Sequence, residues 1–216
     1  MKVKVCGLRD EKNIRLLLET VLPDYLGFIF YEPSPRYAGE ILDISFLQRI
    51  KGSFKKTGVL VDASLSTAES IASKYELDAL QLHGNESAEF CASLRRPGLE
   101  IIKTFHLSES FNFHVLEDYA PVCDYFLFDT RGQHPGGNGV RFNWELLEEY
   151  QMSVPFFLSG GIDGQDAASI AQIRHPALGG VDLNSRFEHN PGLKDVSKIK
   201  RFTNHLNEYL YGERNL

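Results

Sequence analysis

The sequence predicts an α/β fold, a single-domain (β/α)8 TIM barrel spanning residues 1–216. Three observations predict it. Eight short apolar runs recur along the chain, their starts roughly 20 to 30 residues apart, the size of one strand–helix unit. Amphipathic helical stretches lie between them, and strict strand–helix alternation implies a parallel sheet. Glycine pairs come late, after the seventh run and in the eighth, where barrels place a phosphate. The competing closure, an open doubly wound sheet, has fewer units at this length and often a glycine-rich first turn. Here the first turn holds a lone Gly7.

The runs are Val3–Cys6, Gly27–Phe30, Thr57–Val61, Ala79–Leu82, Glu100–Phe105, Tyr125–Asp129, Pro155–Ser159 and Leu178–Leu183. In the first, Lys2, Lys4 and Cys6 alternate with valines and so share one strand face. Glu11–Leu22 reads as the first helix, with Ile14, Leu17, Leu18 and Val21 on one side. Ser66 with Glu69 three residues on reads as a capping box for another. Ser87 opens a helix before Phe90, Cys91 and Leu94, and Gln165–Ile173 and Lys194–Tyr209 are also amphipathic. No linker, low-complexity tract or composition shift divides the chain.

Composition limits the function classes. The chain is 43% hydrophobic and 24% charged, ordinary for a soluble globular protein. Its formal net charge of −6 argues against a broad nucleic-acid or acidic-membrane footprint. No apolar run approaches the roughly 20 residues that span a bilayer, and the N-terminus enters a strand at once, leaving no signal peptide. Cys6, Cys91 and Cys123 are odd in number and lack CxxC spacing, so free thiols in a reducing cytoplasm are expected, without structural zinc. The histidines other than His83 are scattered and form no metal set.

Polar residues gather at the C-terminal ends of the runs, which in a barrel face one mouth. Cys6 sits at the tip of the first strand. A free thiol near pKa 8.5 costs roughly 2 kcal/mol to ionise at neutral pH. Lys4, two residues behind and about 7 Å away at Cα, is placed to supply much of that. The bland reading of Cys6 is a small buried hydrophobe, and of Lys4 an interior lysine paired with some carboxylate. Asp129 ends an aromatic strand, where the charged carboxylate is disfavoured and a useful acid results. Asp62 has equal local claims, and spacing does not choose between them. Gly160-Gly161 precedes a helix and suits a phosphate or a tight turn, and Asn184-Ser185-Arg186 after the eighth strand is a second such turn. Arg36 lies in the proline-stiffened loop Glu32-Pro33-Ser34-Pro35-Arg36-Tyr37, which limits the entropy cost of presenting its guanidinium to a carboxylate. Gly136-Gly137-Asn138-Gly139 suits a mobile flap or an irregular connection. His83 shares a face with Gln81 and is a rim or hydrogen-bonded residue as readily as a functional one. Cys91, among Ala88, Ala92 and Leu94, is a core residue.

Taken together the motifs resemble the phosphoribosylanthranilate isomerase family of tryptophan biosynthesis. The matching pieces are Lys4-Val5-Cys6-Gly7-Leu8, Gly27-Phe28-Ile29-Phe30 leading to Ser34-Pro35-Arg36-Tyr37, and Gln81-Leu82-His83-Gly84. They continue with Phe128-Asp129, Gly136-Gly137-Asn138-Gly139 with Phe142-Asn143-Trp144, and Ser159-Gly160-Gly161. Gly180-Val181-Asp182-Leu183-Asn184-Ser185 and Pro191-Gly192-Leu193-Lys194-Asp195 close the series, in family order over nearly the whole chain. Asn138 and Val140 depart from the family pattern in the flap.

The resemblance implies a barrel that performs an Amadori rearrangement on N-(5-phosphoribosyl)anthranilate without metal or cofactor. It implies Asp129 as general acid and Cys6 as general base. Arg36 would bind the anthranilate carboxylate, and the turns at Gly160-Gly161 and Asn184-Ser185 the phosphate. His83 is expected to touch substrate, and Asp182 to orient neighbouring backbone or a sugar hydroxyl. The implied partner is the small phosphosugar-anthranilate substrate, with no nucleic acid and no membrane. A histidine-pathway isomerase would favour a carboxylate at the first strand tip, and a pentose-phosphate epimerase a metal with His and Asp ligands. Cys6 argues against both, and the Cys6–Asp129 pair argues against a non-catalytic binding module.

Overall fold

Residues 1–129 and 144–212 are described by the structure, a computed structural model. Eight parallel strands close into a barrel in sequence order. They are β1 (Lys2–Val5), β2 (Tyr25–Ile29), β3 (Lys55–Leu60), β4 (Ala79–Leu82), β5 (Glu100–His106), β6 (Tyr125–Asp129), β7 (Phe156–Ser159) and β8 (Leu178–Leu183). The seam between β1 and β8 pairs Lys2 with Gly180 and Lys4 with Asp182. The Cys6 amide donates to the Leu183 carbonyl at 2.9 Å, so the seam is tied one residue past the end of β1.

Among the described residues six α-helices wrap the strands: α1 (Glu11–Thr20), α2 (Ile44–Arg49), α3 (Leu65–Lys74), α4 (Ala88–Leu94), α5 (Ala167–Gln172) and α6 (Val196–Tyr211). The alternation is less strict than the sequence suggests. The β5–β6 connection carries only the 3-10 turn Phe113–Leu116. The described part of the β6–β7 connection carries the 3-10 turn Trp144–Glu149. Rings cover the barrel there instead: Phe105 packs on Phe111 and Tyr119, and Phe113 on Phe128.

Caps explain the helix boundaries. Ser64, not Ser66, caps α3: its backbone is extended and its hydroxyl accepts from the Thr67 amide at 3.1 Å. Ser66 already lies inside the helix, so the expected capping box does not form. Ser87 caps α4 as expected, accepting from the Phe90 amide. α1 stops at Thr20, and Leu22 takes a left-handed φ of 54°. α6 begins after Asp195 rather than at Lys194. Lys194 belongs instead to a small antiparallel hairpin of β9 (Glu188–Asn190) and β10 (Leu193–Lys194) that follows β8.

The outward strand residues, among them Val5, Phe28, Leu80, Phe126 and Val181, are buried beneath the helices. Tyr25, Ala79, Ile102, Leu127 and Phe157 fill the barrel floor. Tyr25 and Phe157 meet edge-to-face at 5.2 Å between centroids. The Lys2 ammonium donates to the Tyr25 and Tyr125 hydroxyls, and Tyr25 donates to Glu100 at 2.9 Å. Glu100 also pairs with Lys55. Burial and the adjoining Glu100 push the Tyr25 phenol up, keeping it a donor.

All three cysteines are free and buried. Cys91 lies on the core face of α4 and is buried, as expected. Among the described residues no helix is long and apolar enough to cross a membrane.

Candidate active site

Strand alternation sends Cys6, Gln81, His83, Thr104, His106, Asp129, Ser159 and Asp182 to the inside of the barrel near its C-terminal end. A cavity of about 380 Å³ opens there. All nine residues singled out from the sequence line it: Cys6, Arg36, His83, Asp129, Gly160, Gly161, Asp182, Asn184 and Ser185. Asp62 does not. It holds the β4–α4 turn instead, accepting from the Asn85 amide at 2.6 Å. The glycine run Gly136-Gly137-Asn138-Gly139, with Val140 and Phe142-Asn143, lies outside the described residues.

Cys6 is 3% exposed. Gly27 is what leaves room for it: a Cβ on that glycine would stand 2.8 Å from the Cys6 sulfur. Beneath it, the Lys4 ammonium donates to Asp182 Oδ1 at 2.8 Å, both side chains buried. The sequence allowed Lys4 an unidentified carboxylate, and Asp182 is that carboxylate. Besides the Lys4 ammonium, Asp182 accepts from the Ser159 hydroxyl at 3.4 Å.

The expected activation of Cys6 by Lys4 is also qualified. Burial pushes the thiol up, while Lys4 and Lys194 pull it down and Asp182 opposes them. Desolvation wins, and the thiol stands above its ordinary value. Lys4 itself is raised: burial would lower it, but Asp182 and the Cys6 sulfur together hold its proton.

Asp129 faces the cavity from the tip of β6 and is 2% exposed. Two imidazoles face its Oδ2, His83 Nε2 at 3.8 Å and His106 Nδ1 at 3.7 Å. Behind His83, Gln81 Nε2 lies 3.0 Å from Nδ1 and 3.2 Å from the Thr104 hydroxyl. His106 was not singled out from the sequence. Its signal was available, since it stands two residues past Thr104 on the same strand face.

The Arg36 guanidinium donates to Glu188 through Nε at 2.9 Å and Nη2 at 2.7 Å. Glu188 also accepts from the Lys194 ammonium at 2.6 Å and the Gly192 amide at 3.1 Å. Lys194 reaches on to Asn184 Oδ1 at 2.9 Å. Arg36 is therefore positioned by an ion-pair cluster and not by its prolines alone. Burial would raise Glu188, but Arg36 and Lys194 hold it below its usual value. Glu188 and Lys194 were both missed as site residues, because nothing local marks a hairpin carboxylate as the partner of a loop arginine.

Gly160 and Gly161 take positive φ values of 96° and 67°. A Cβ on Gly161 would touch nothing within 4 Å, so backbone conformation and not space selects glycine there. Ser185 opens the 3-10 turn Ser185–Phe187 after β8, the strand paired with β7.

The profile of the N-(5'phosphoribosyl)anthranilate (PRA) isomerase family matches residues 3–205. The chain belongs to that family. The N-(5'-phosphoribosyl)anthranilate isomerase of Parabacteroides distasonis is 44% identical over 203 residues, 94% of this chain and 91% of that protein. The isomerase of Phocaeicola vulgatus is 37% identical, with 96% and 98% covered. Among solved structures, the isomerase of Thermotoga maritima superposes with a TM-score of 0.78 at 28% identity, covering 96% of this chain and 98% of that one. A phosphoribosyl anthranilate isomerase in complex with reduced 1-(o-carboxyphenylamino)-1-deoxyribulose 5-phosphate superposes at 0.76, with 26% identity over the same shares. The isomerase family thus covers the whole barrel, from β1 into α6.

Proposed function

We propose that Cys6 and Asp129 divide the proton transfers of this isomerase between them. The chain catalyses the Amadori rearrangement of N-(5-phosphoribosyl)anthranilate to 1-(2-carboxyphenylamino)-1-deoxyribulose 5-phosphate in L-tryptophan biosynthesis. Asp129 acts as general acid. It protonates the furanose oxygen, the C1′–O bond breaks, and the anthranilate nitrogen lone pair forms the Schiff base. Cys6, as thiolate, then takes the C2′ proton. The freed electron pair forms the C1′–C2′ double bond of an enolamine and neutralises the iminium nitrogen. Tautomerisation to the ketone completes the product.

The buried thiol resists ionisation, and the iminium is the natural counter-charge. It arrives beside Cys6 only after the first proton transfer, adding to the pull of Lys4 and Lys194. The two steps are thereby ordered. Arg36 binds the anthranilate carboxylate, held in place by Glu188. The amides at Gly160-Gly161 and Asn184-Ser185 receive the phosphate, and His83 contacts the substrate beside Asp129. Residues 1–216 act as one barrel domain, and three free thiols suit a reducing cytoplasm.

The observation that supports this best is that Cys6 and Asp129 line one cavity from the tips of β1 and β6, three strands apart around the closed barrel. The test follows loss of phosphoribosylanthranilate fluorescence. Cys6→Ala and Asp129→Asn should each abolish most turnover while still binding a product analogue. Substantial turnover in either variant would remove that residue from the chemistry.

A further inference from the structure

Lys198 joins the turns after β7 and β8 from outside the cavity. Its ammonium pairs with Asp163 Oδ1 at 3.0 Å and donates to the Arg186 carbonyl at 2.8 Å. Asp163 stands two residues past Gly161 in the loop after β7, and Arg186 directly follows Ser185 after β8. Gly160, Gly161, Asn184 and Ser185 line the cavity, whereas Lys198 and Asp163 do not. The ammonium therefore meets a ligand only through the turns it holds.

Each turn is gripped at a second point. A Cβ on Gly164 would stand 3.2 Å from Lys198 Cε, so the lysine stem lies close along the β7 loop. The Lys198 ammonium is 5.4 Å from the Phe187 ring centroid, within cation–π reach of the β8 turn. The Asp163 amide donates to Asp166 Oδ2 at 2.7 Å, which anchors its loop just before α5. Burial would raise Asp163, but Lys198 and the Gly164 amide hold it below its ordinary value, so the pair is charged at neutral pH.

The helix that carries Lys198 does not account for a lysine there. Asp195 caps α6, accepting from the Lys198 amide at 2.9 Å, so Lys198 lies in the first turn. A cation in that turn opposes the helix dipole.

We propose that Lys198 is a positioning residue for the phosphate, strapping the β7 and β8 turns at a separation that lets the amides of both meet one anion. This rests on the assignment of those turns to the phosphate. Without the strap the two loops move independently. The anion must then order them as it binds, which costs affinity.

The test measures competition of inorganic phosphate and of anthranilate against turnover. Lys198→Met should weaken phosphate and raise KM by roughly 3- to 30-fold, the range carried by residues that touch neither ligand. Both kcat and the anthranilate affinity should stay within about twofold, because only uniform binding is lost. Lys198→Arg keeps a cation able to reach both partners and should restore most of the loss. Asp163→Ala should give a similar loss, and Asp163→Ala with Lys198→Met no more than either alone. Gly161→Ala, which strains its turn at a φ of 67°, checks the phosphate assignment by itself. Weaker phosphate in Gly161→Ala with no change in Lys198→Met overturns the strap and leaves the phosphate turns standing. No change in either variant removes the phosphate from these turns, and the strap with it. Equal weakening of phosphate and anthranilate by Lys198→Met also overturns the proposal, since it marks Lys198 as a general support of the barrel mouth.

Discussion

Lys4 and Asp182 form a buried ion pair of 2.8 Å across the seam where the barrel closes. The register sets these two residues opposite each other, so the pair forms only once the last strand has docked on the first. The cavity lies above the pair and the aromatic floor below it.

Breaking this pair from one side should be costly. Lys4→Met leaves a carboxylate buried without its counter-charge, a loss of about 3–5 kcal/mol. Lys4→Met with Asp182→Leu should recover most of it, since replacing both charges of a buried pair is often neutral. Denaturant midpoints of the single and double variants check this. A double variant no more stable than the single would show that the pair itself, not the orphaned charge, carries the stability.

The same substitution should raise the ionisation midpoint of Cys6, because Lys4 is the largest influence pulling that thiol down. Alkylation of Cys6 followed against pH by peptide mapping measures it. Mapping leaves Cys91 and Cys123 in place, which matters because both are buried in the core. A midpoint that stays put would leave Lys4 as a purely structural partner of Asp182.

Cys6→Ala should lower kcat by about 10²–10⁴-fold, the usual contribution of a general base. Gly27→Ala should approach that result without touching the thiol. Its new methyl would meet the Cys6 sulfur at 2.8 Å and the Cys6 Cα at 2.9 Å, so backbone must move. Overpacking of this kind costs roughly 1–3 kcal/mol, and a misplacement near 1 Å costs about 10²-fold in rate. Unchanged kcat in a folded Gly27→Ala would show that the base tolerates displacement.

Arg36→Met should weaken anthranilate-type ligands roughly 10- to 100-fold, the range of a charge-assisted hydrogen bond. Ribose 5-phosphate should bind nearly as before. Equal weakening of both ligands, by competition against turnover, would move Arg36 to the phosphate end of the cavity.

Glu188 links this cluster to acid stability. Its folded value lies below the ordinary 4.5, so the unfolded chain binds the proton more readily. The stabilisation is complete above about pH 4.5 and is lost as pH falls through the lower folded value. Glu188→Gln should therefore flatten the fall in unfolding midpoint over that acid window. A fall as steep as the parent's would assign it to other carboxylates.

Much of this was legible in the chain. Apolar runs bounded by turn residues gave all eight strands, three of them to the residue, as at Tyr125–Asp129. β3 begins two residues earlier than its apolar run because Lys55 and Lys56 hid its start. Lys55 pairs with Glu100 on the floor, and Lys56 reaches the Leu47 carbonyl. The nine cavity residues were visible because a parallel barrel turns every strand tip to one mouth. What stayed hidden was pairing across the closed sheet. Lys4 meets Asp182, Arg36 meets Glu188, and His106 meets Asp129, each through register that exists only after closure. Helix caps failed where two serines competed, and Ser64 won by its extended backbone.

The aromatic floor has a consequence for traffic. Tyr25, Leu127 and Phe157 plug the lower end, and the Lys2–Tyr25–Glu100 chain of hydrogen bonds laces it shut. The mouth that admits the aminated sugar is thus also the exit for the ketose. Each product molecule must vacate the doorway before the next substrate can enter, so accumulating product acts as its own queue. Opening the floor, for instance by Phe157→Ala, would not create a second exit for an anion as bulky as this one. The Lys4–Asp182 pair stands across the shaft as a second bolt.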